Sequence, residues 1–113
     1  MGAENGIVSL GAVDLRAAIA RREVSCAEVM NATLDRIERV NPAVNAIVAL
    51  RPRDDLMGEA QAADAALARG DATGPLHGFP LAVKDLDAVA GLPFTQGSPV
   101  FRDRIAPADS IMA

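Results

Sequence analysis

The chain has 113 residues, of which 50% are hydrophobic and 3% aromatic, and its formal net charge is −4. This length corresponds to one small domain or to part of a larger one, and the apolar content is too high for a disordered chain. Basic residues are scattered, and Arg21-Arg22 is the one adjacent pair. Because no basic stripe is present, the sequence does not predict binding to nucleic acid or to an anionic membrane surface.

Cys26 is the single cysteine and His77 the single histidine. One cysteine cannot form an internal disulfide, and these two residues do not form a metal-binding pattern, so we expect no metal and no cofactor. The first ten residues, MGAENGIVSL, lack the features of a signal peptide, and no apolar run has the length of a membrane span. We therefore expect a cytoplasmic protein without a membrane partner.

The N-terminal part predicts a loose start and then a short helix. Residues 1–8 show no periodic pattern. Residues 12–22, AVDLRAAIARR, place Val13, Ala17 and Ala20 on one stripe. This spacing predicts an amphipathic helix.

A second helix is predicted over residues 26–40. Ser25 followed by Glu28 has the spacing of a capping box, in which each side chain binds a backbone amide of the other residue. Apolar residues then recur at steps of three and four. Asn41-Pro42 is predicted to end this helix, because a residue before proline disfavours helical backbone.

The middle of the chain predicts a strand and a third helix. Residues 44–50, VNAIVAL, are rich in β-branched side chains and lie between prolines, which favours a strand. Residues 54–69 are rich in alanine, with acidic residues in the first turn and Arg69 in the last. They predict a helix that ends at Gly70 in a left-handed conformation.

Residues 80–85, PLAVKD, predict a second strand, and a loop rich in glycine and proline follows them. Helices alternating with strands indicate an α/β fold. We expect the helices to pack on a small part of a larger mixed sheet.

Lys84 is the most informative residue, because it is the only lysine and lies in the most apolar short stretch. Burial of an amine disfavours its charged form, and a neutral amine can act as a base, whereas arginine stays charged. The structural alternative is a lysine that extends to solvent or pairs with Asp85 or Asp87.

Other candidates carry weaker patterns. His77 lies in a glycine- and proline-rich turn, which is typical of a loop residue. Ser98 follows a glycine, but no base can be assigned to it. Cys26 follows a helix N-cap, where the pKa of a thiol falls, although packing as a small apolar group is the simpler interpretation. Asp85 and Asp87 are interpreted as solvated loop charges.

The block around Lys84, GPLHGFPLAVKDLDAVAGLPFTQGSPVF, resembles the first signature block of the amidase-signature family of amide hydrolases. The family pattern G-P-L-x-G-[IVF]-P-[VLI]-x-V-K-D matches residues 74–85, and the following Ala90-Gly91 and Gly97-Ser98 fit its next loop. The upstream segments REVS, ERVNPAVNA and ADAALARG fit as well. The resemblance extends from about Val8 to Met112.

The resemblance implies an amidase that uses a Ser–cis-Ser–Lys triad, with Lys84 as the triad lysine. In that family the lysine takes a proton from a bridging serine, which activates a nucleophilic serine. Both serines and the loop that forms the oxyanion hole follow this block, so Ser98 is not assigned as the nucleophile. The implied fold is α/β, with N-terminal helices and the first strands of a mixed sheet that has helices on both faces.

Residues 1–113 are therefore expected to be the N-terminal fragment of a single amidase domain, inactive alone and acting on a small-molecule amide in the parent protein. One alternative is a non-catalytic module that keeps this shape for packing or binding. Another is the glutaminase subunit of a tRNA-dependent amidotransferase. Unpaired strand edges and apolar faces also predict a homo-oligomer.

Overall fold

The computed structural model describes residues 4–113. Contacts between residues divide the chain into two compact units, residues 4–80 and residues 81–113. The first unit is helical, and its helices in chain order are α1 (Glu4–Ile7), α2 (Ala12–Ala20), α3 (Cys26–Val44) and α4 (Arg53–Arg69). The loose start predicted for residues 1–8 is wrong over residues 4–7, which form the single turn α1, and its first three residues lie outside the described part.

The start of α3 has the predicted capping box. The Ser25 hydroxyl accepts from the amide of Glu28 at 3.0 Å, and the Ser25 amide donates to the Glu28 carboxylate at 2.8 Å. The predicted end at Asn41-Pro42 is wrong, because α3 continues through Pro42 to Val44 and closes at Asn45 with φ 47°. A proline in the last turn removes one amide donor, and this single loss does not stop the helix.

The segment predicted as a strand at 44–50 is not a strand. Val44 still belongs to α3, and residues 45–50 have irregular backbone. The side-chain amide of Asn41 donates to the carbonyl of Ile47 and accepts from its amide, both at 2.9 Å. This side chain satisfies backbone groups that a neighbouring strand would pair with, and Val48 stays 72% exposed.

The core of the first unit lies between α2, α3 and α4. Its buried members are Ile19, Cys26, Val29 and Ala60, each at most 6% exposed. Arg53 at the start of α4 also binds α3, through Glu38 at 2.9 Å and through Asp35.

The end of α4 follows the sequence prediction. Gly70 has φ 75° and its amide donates to the carbonyl of Leu67 at 3.1 Å.

The second unit, residues 81–113, consists of turns, a short 3₁₀ helix at Pro99–Phe101 and an isolated antiparallel bridge between Pro93 and Ile105. The predicted strand at 80–85 has no strand partner within residues 4–113, so the expected mixed sheet is absent from the part that the structure describes. Strand backbone depends on a partner for its hydrogen bonds. No helix in the described range is long and apolar enough to cross a membrane.

Candidate functional site

Lys84 lies in irregular backbone immediately before a turn. The turn is closed by the amide of Asp87, which donates to the carbonyl of Lys84 at 2.9 Å. The side chain of Lys84 is exposed, as in the alternative of a lysine that extends to solvent, and the residue does not lie on a strand. No ion pair joins it to Asp85, Asp87 or another carboxylate in residues 4–113, so its amine has no acidic partner there.

Asp85, the next residue, is bound to the loop ten residues further along the chain. One carboxylate oxygen, Oδ1, accepts from the amide of Thr95 at 2.8 Å, and Oδ2 accepts from the Thr95 hydroxyl. That hydroxyl in turn accepts from the amide of Gly97 at 3.3 Å. The interpretation of Asp85 as a solvated loop charge is therefore wrong.

These contacts favour the ionised form of Asp85. The Thr95 hydroxyl and the Thr95 amide, followed by the amides of Gln96 and Gly97, hold the pKa of Asp85 below its ordinary value. Asp85 is thus a hydrogen-bond acceptor at neutral pH and not a proton donor.

The loop that Asp85 binds is a tight turn. The amide of Ser98 donates to the carbonyl of Thr95 at 3.0 Å, and the two central residues, Gln96 and Gly97, have φ of 54° and 69°. Positive φ at both central positions is typical of a type I′ turn, and it is unfavourable for a residue such as glutamine.

Ser98 has a local structural contact. Its hydroxyl accepts from the amide of Val100 at 3.3 Å and so caps the 3₁₀ helix. The structure thus gives Ser98 a capping contact within its own loop.

The rest of the second unit is held by backbone bonds around the buried Ala106. The amide of Gly91 donates to the carbonyl of Ala106 at 2.9 Å, and the amide of Ala106 donates to the carbonyl of Leu92 at 3.0 Å. The guanidinium of Arg104 stacks on Phe94 and Phe101, 4.6 and 5.1 Å from the ring centroids. These contacts fix the segment that carries Thr95.

His77 belongs to the first unit and contacts α4. Its Nε2 lies 2.9 Å from the carbonyl of Ala63. A carbonyl only accepts, so Nε2 carries the hydrogen and donates. His77 therefore fastens the 74–78 turn to α4. Its position in a turn is the one predicted from the sequence.

Cys26 is buried at the N-terminus of α3, where the structure reverses the expected direction of its pKa shift. Burial, and then the neighbouring Asp64 carboxylate, raise the pKa of the thiol to about 11. The thiol therefore stays protonated at neutral pH and packs as a small apolar group, in agreement with the simpler interpretation.

Asp64 is a residue that the sequence reasoning missed. Its two carboxylate oxygens accept from the amides of Cys26 and Ala27 at 2.7 and 3.0 Å. Burial acts to raise its pKa, but these two amides, the Cys26 thiol and the charge of Arg22 outweigh it and lower the pKa. The one sequence signal was an acidic residue within an otherwise alanine-rich helical stretch.

The candidate functional residues are distributed over the two units. Lys84, Asp85 and Ser98 belong to residues 81–113, and His77 and Cys26 belong to residues 4–80. Across the described range, no group of three or more His, Cys, Asp or Glu side chains is arranged to hold a metal ion.

The family model for Amidase matches residues 28–113, which include Lys84 and its whole block. The chain therefore belongs to the amidase family.

Individual relatives agree with this assignment. The chain is 48% identical over 99 residues to a glutamyl-tRNA(Gln) amidotransferase subunit of Acidothermus cellulolyticus, covering 88% of this chain and 19% of the relative. It is 35% identical over 109 residues to an acylamidase of Rhodococcus erythropolis, covering 96% and 23%. It is 38% identical over 100 residues to the putative amidase AmiD of Mycobacterium bovis, covering 88% and 21%. The chain thus spans about a fifth of the length of these curated relatives.

A solved structure has the same fold over most of this chain. It matches with a TM-score of 0.81 and 31% identity, covering 91% of this chain and 22% of the other. That structure is described as a vestigial protein complex that reveals the evolutionary origins of an s-triazine catabolic enzyme.

Proposed function

We propose that this chain supplies the lysine of an amidase that uses a Ser–cis-Ser–Lys triad, and that Lys84 is that lysine. The observation that carries the proposal is the family match over the block around Lys84, together with an amine that has no acidic partner in the described residues. Pairing with a carboxylate would hold a lysine in its charged form, whereas a base must lose its proton.

In the proposed reaction the remainder of the amidase covers Lys84 and places a bridging serine beside it. The Lys84 amine accepts the proton of this serine, which accepts the proton of the nucleophilic serine. The oxygen of the nucleophilic serine then bonds to the amide carbon. The carbon–nitrogen bond breaks as the proton taken up by Lys84 returns through the bridging serine to the leaving amine. Water then bonds to the ester carbon, the bond to the serine oxygen breaks, and the water's proton returns to that oxygen, which releases a carboxylic acid and regenerates the enzyme.

We also propose that the complete domain contains the mixed sheet. We place residues 44–50 and 80–85 as strands that form when pairing partners from the remainder of the domain are present. Support comes from the exposed apolar side chains in both segments, since Val48 is 72% and Leu81 is 82% exposed. We also propose a cytoplasmic location, which a free thiol supports because cysteines stay reduced there.

Expression of the whole reading frame that contains these residues tests the role of Lys84. We expect Lys84→Ala to lower kcat for amide hydrolysis by about 10²- to 10⁴-fold, the usual contribution of a general base. Lys84→Arg should be equally impaired, because arginine keeps the charge but does not release its proton. Arg102→Ala, which removes another exposed cation of the second unit, serves as the control. Full activity of a folded Lys84→Arg enzyme would refute the proposal.

We propose that the isolated chain is inactive, because Lys84 is the one triad member proposed within residues 1–113 and a triad without its two serines has no nucleophile. Purified residues 1–113 should show no serine-dependent turnover of simple aliphatic or aryl amides.

A second candidate is the glutaminase component of a tRNA-dependent amidotransferase. It is favoured by the 48% identity to a glutamyl-tRNA(Gln) amidotransferase subunit. Release of ammonia from glutamine by the whole protein, with little activity on other amides, would support it, and the reverse preference would support a general amidase. The third possibility, a non-catalytic module, predicts that the reading frame contains no serines in the family's later pattern.

A further inference from the structure

We propose that Asp85 is a positioning residue for Lys84: its carboxylate clamps the turn that carries Lys84 to the turn at residues 95–98. This inference rests on the proposed function of Lys84. Asp85 itself is assigned no contact with substrate.

No contact within the described residues orients the Lys84 side chain. Its side chain has four rotatable carbon bonds, and within residues 4–113 it has no hydrogen bond or ion pair to orient it. The backbone at Lys84 therefore sets the point from which the side chain extends. Asp85 is covalently bonded to that backbone, so whatever holds Asp85 also holds the origin of the lysine side chain.

The Asp85 carboxylate binds Thr95 in a defined geometry. Asp85 uses both carboxylate oxygens on one residue, since Oδ1 accepts from the Thr95 amide at 2.8 Å and Oδ2 accepts from the Thr95 hydroxyl. Two bonds to the same residue fix orientation as well as distance. The hydroxyl also accepts from the amide of Gly97 at 3.3 Å, which extends the clamp through the turn.

The turn at residues 95–98 has an unfavourable backbone conformation. Gln96 has φ 54°, a region that non-glycine residues seldom occupy without support from their surroundings. The hydrogen bonds from this turn to Asp85 and Thr95 supply such support. Loss of the carboxylate should therefore loosen both the 95–98 turn and the backbone at Lys84.

Asp87 provides a matched control. It lies two residues from Asp85 in the same turn, and its carboxylate has no hydrogen bond or ion pair with the other residues that the structure describes. Removing either carboxylate changes the net charge equally, but only Asp85 holds Thr95.

The first experiment uses the 113-residue chain and nuclear magnetic resonance. Because Lys84 is the only lysine, a chain labelled at lysine gives one signal from this side chain. We expect Asp85→Ala to speed amide hydrogen exchange at Thr95 and Gly97 by about tenfold or more, because the free energy of local opening falls. The Lys84 signal should broaden or split. Asp87→Ala should leave both unchanged. Unchanged exchange in Asp85→Ala would overturn the clamp.

The second experiment measures kinetics in the whole reading frame. Asp85→Ala and Thr95→Val should lower kcat by about 10- to 100-fold with little change in KM, because misplacement of a reacting group affects the chemical step. Thr95→Ser, which keeps the hydroxyl, and Asp87→Ala should retain kcat. If Asp85→Ala fails to fold, the comparison of kcat between Thr95→Val and Thr95→Ser tests the clamp instead, and equal kcat values in the two variants would refute it.

The outcomes separate the two proposals. If Lys84→Ala abolishes hydrolysis while Asp85→Ala and Thr95→Val keep full kcat per folded enzyme, positioning by Asp85 is refuted and the function of Lys84 stands. If Lys84→Ala itself keeps full activity, the proposed function is refuted.

Discussion

Gly78 lies against the buried side chain of Cys26. Its φ is +79°, and a Cβ built on it would lie 2.5 Å from Sγ of Cys26. Cys26 is only 1% exposed, so the sulfur has little room to move. Two separate physical reasons, the left-handed backbone and the contact with Sγ, therefore favour glycine at this position of the signature block.

We expect Gly78→Ala to lower the free energy of unfolding by about 1–3 kcal/mol more than Gly70→Ala does, the cost of overpacking a tight site. Gly70 is the control because its φ is +75° but nothing lies within 4 Å of its built Cβ. Urea unfolding followed by circular dichroism gives both values. In a Cys26→Ala background the difference should shrink, and a difference that persisted there would show that Sγ is not its cause.

At the scale of elements, Asp64 joins two helices. It lies on α4, yet its carboxylate accepts from the first two amides of α3, Cys26 and Ala27. Those amides have no carbonyl partner within α3, because the first turn of a helix leaves its donors free. Asp64 therefore completes the N-terminus of α3 while Ser25 and Glu28 cap it locally.

Asp64→Ala should lower the free energy of unfolding by about 1–3 kcal/mol, because part-buried amides lose their acceptor. Asp71→Ala, which removes only an exposed pair with Arg69 at 2.7 Å, should cost about 0–1 kcal/mol.

The pH dependence of this loss follows from the lowered pKa of Asp64. Its stabilisation is fully present above the pKa of the unfolded state and is lost as the pH falls through the lower folded value. The gap between the unmodified chain and Asp64→Ala should thus close in acid. A gap that stayed constant from neutral to strongly acidic pH would contradict this role for the carboxylate.

At the scale of the whole molecule, the chain exposes much apolar surface. Val48 in the first unit is 72% exposed, and Leu81, Val100 and Ile111 in the second are at least 82% exposed. Surface of this kind favours association. The chain spans only about a fifth of the length of its curated relatives.

We expect the 113-residue chain to self-associate with rising concentration, as measured by sedimentation velocity. Leu81→Ser with Val100→Ser should weaken association, because it removes apolar surface that is exposed to water. Gln61→Ser, an exposed polar change on α4, should leave it unchanged. A monomer at every concentration would contradict the prediction.

The candidate site was partly accessible from sequence. The block around Lys84 indicated the family, and the family model matches residues that contain it. The contact between Asp85 and Thr95 was not accessible, because the two residues are ten positions apart and a local pattern does not show which loop residue a carboxylate will bind. Likewise, nothing in the local pattern indicated that Asp64 would bind residues nearly forty positions away.

By itself the sequence determined the local features of this protein: the helical stretches near 12–22, 26–40 and 54–69, the capping box at Ser25 and the left-handed Gly70. These features depend on residues three or four positions apart, so short-range order is enough to specify them. Only the tertiary structure decided that 44–50 and 80–85 are not strands here and that Lys84 is exposed. Strand pairing and burial depend on which distant residues are present to supply hydrogen bonds and to exclude water, and a local pattern does not contain that information.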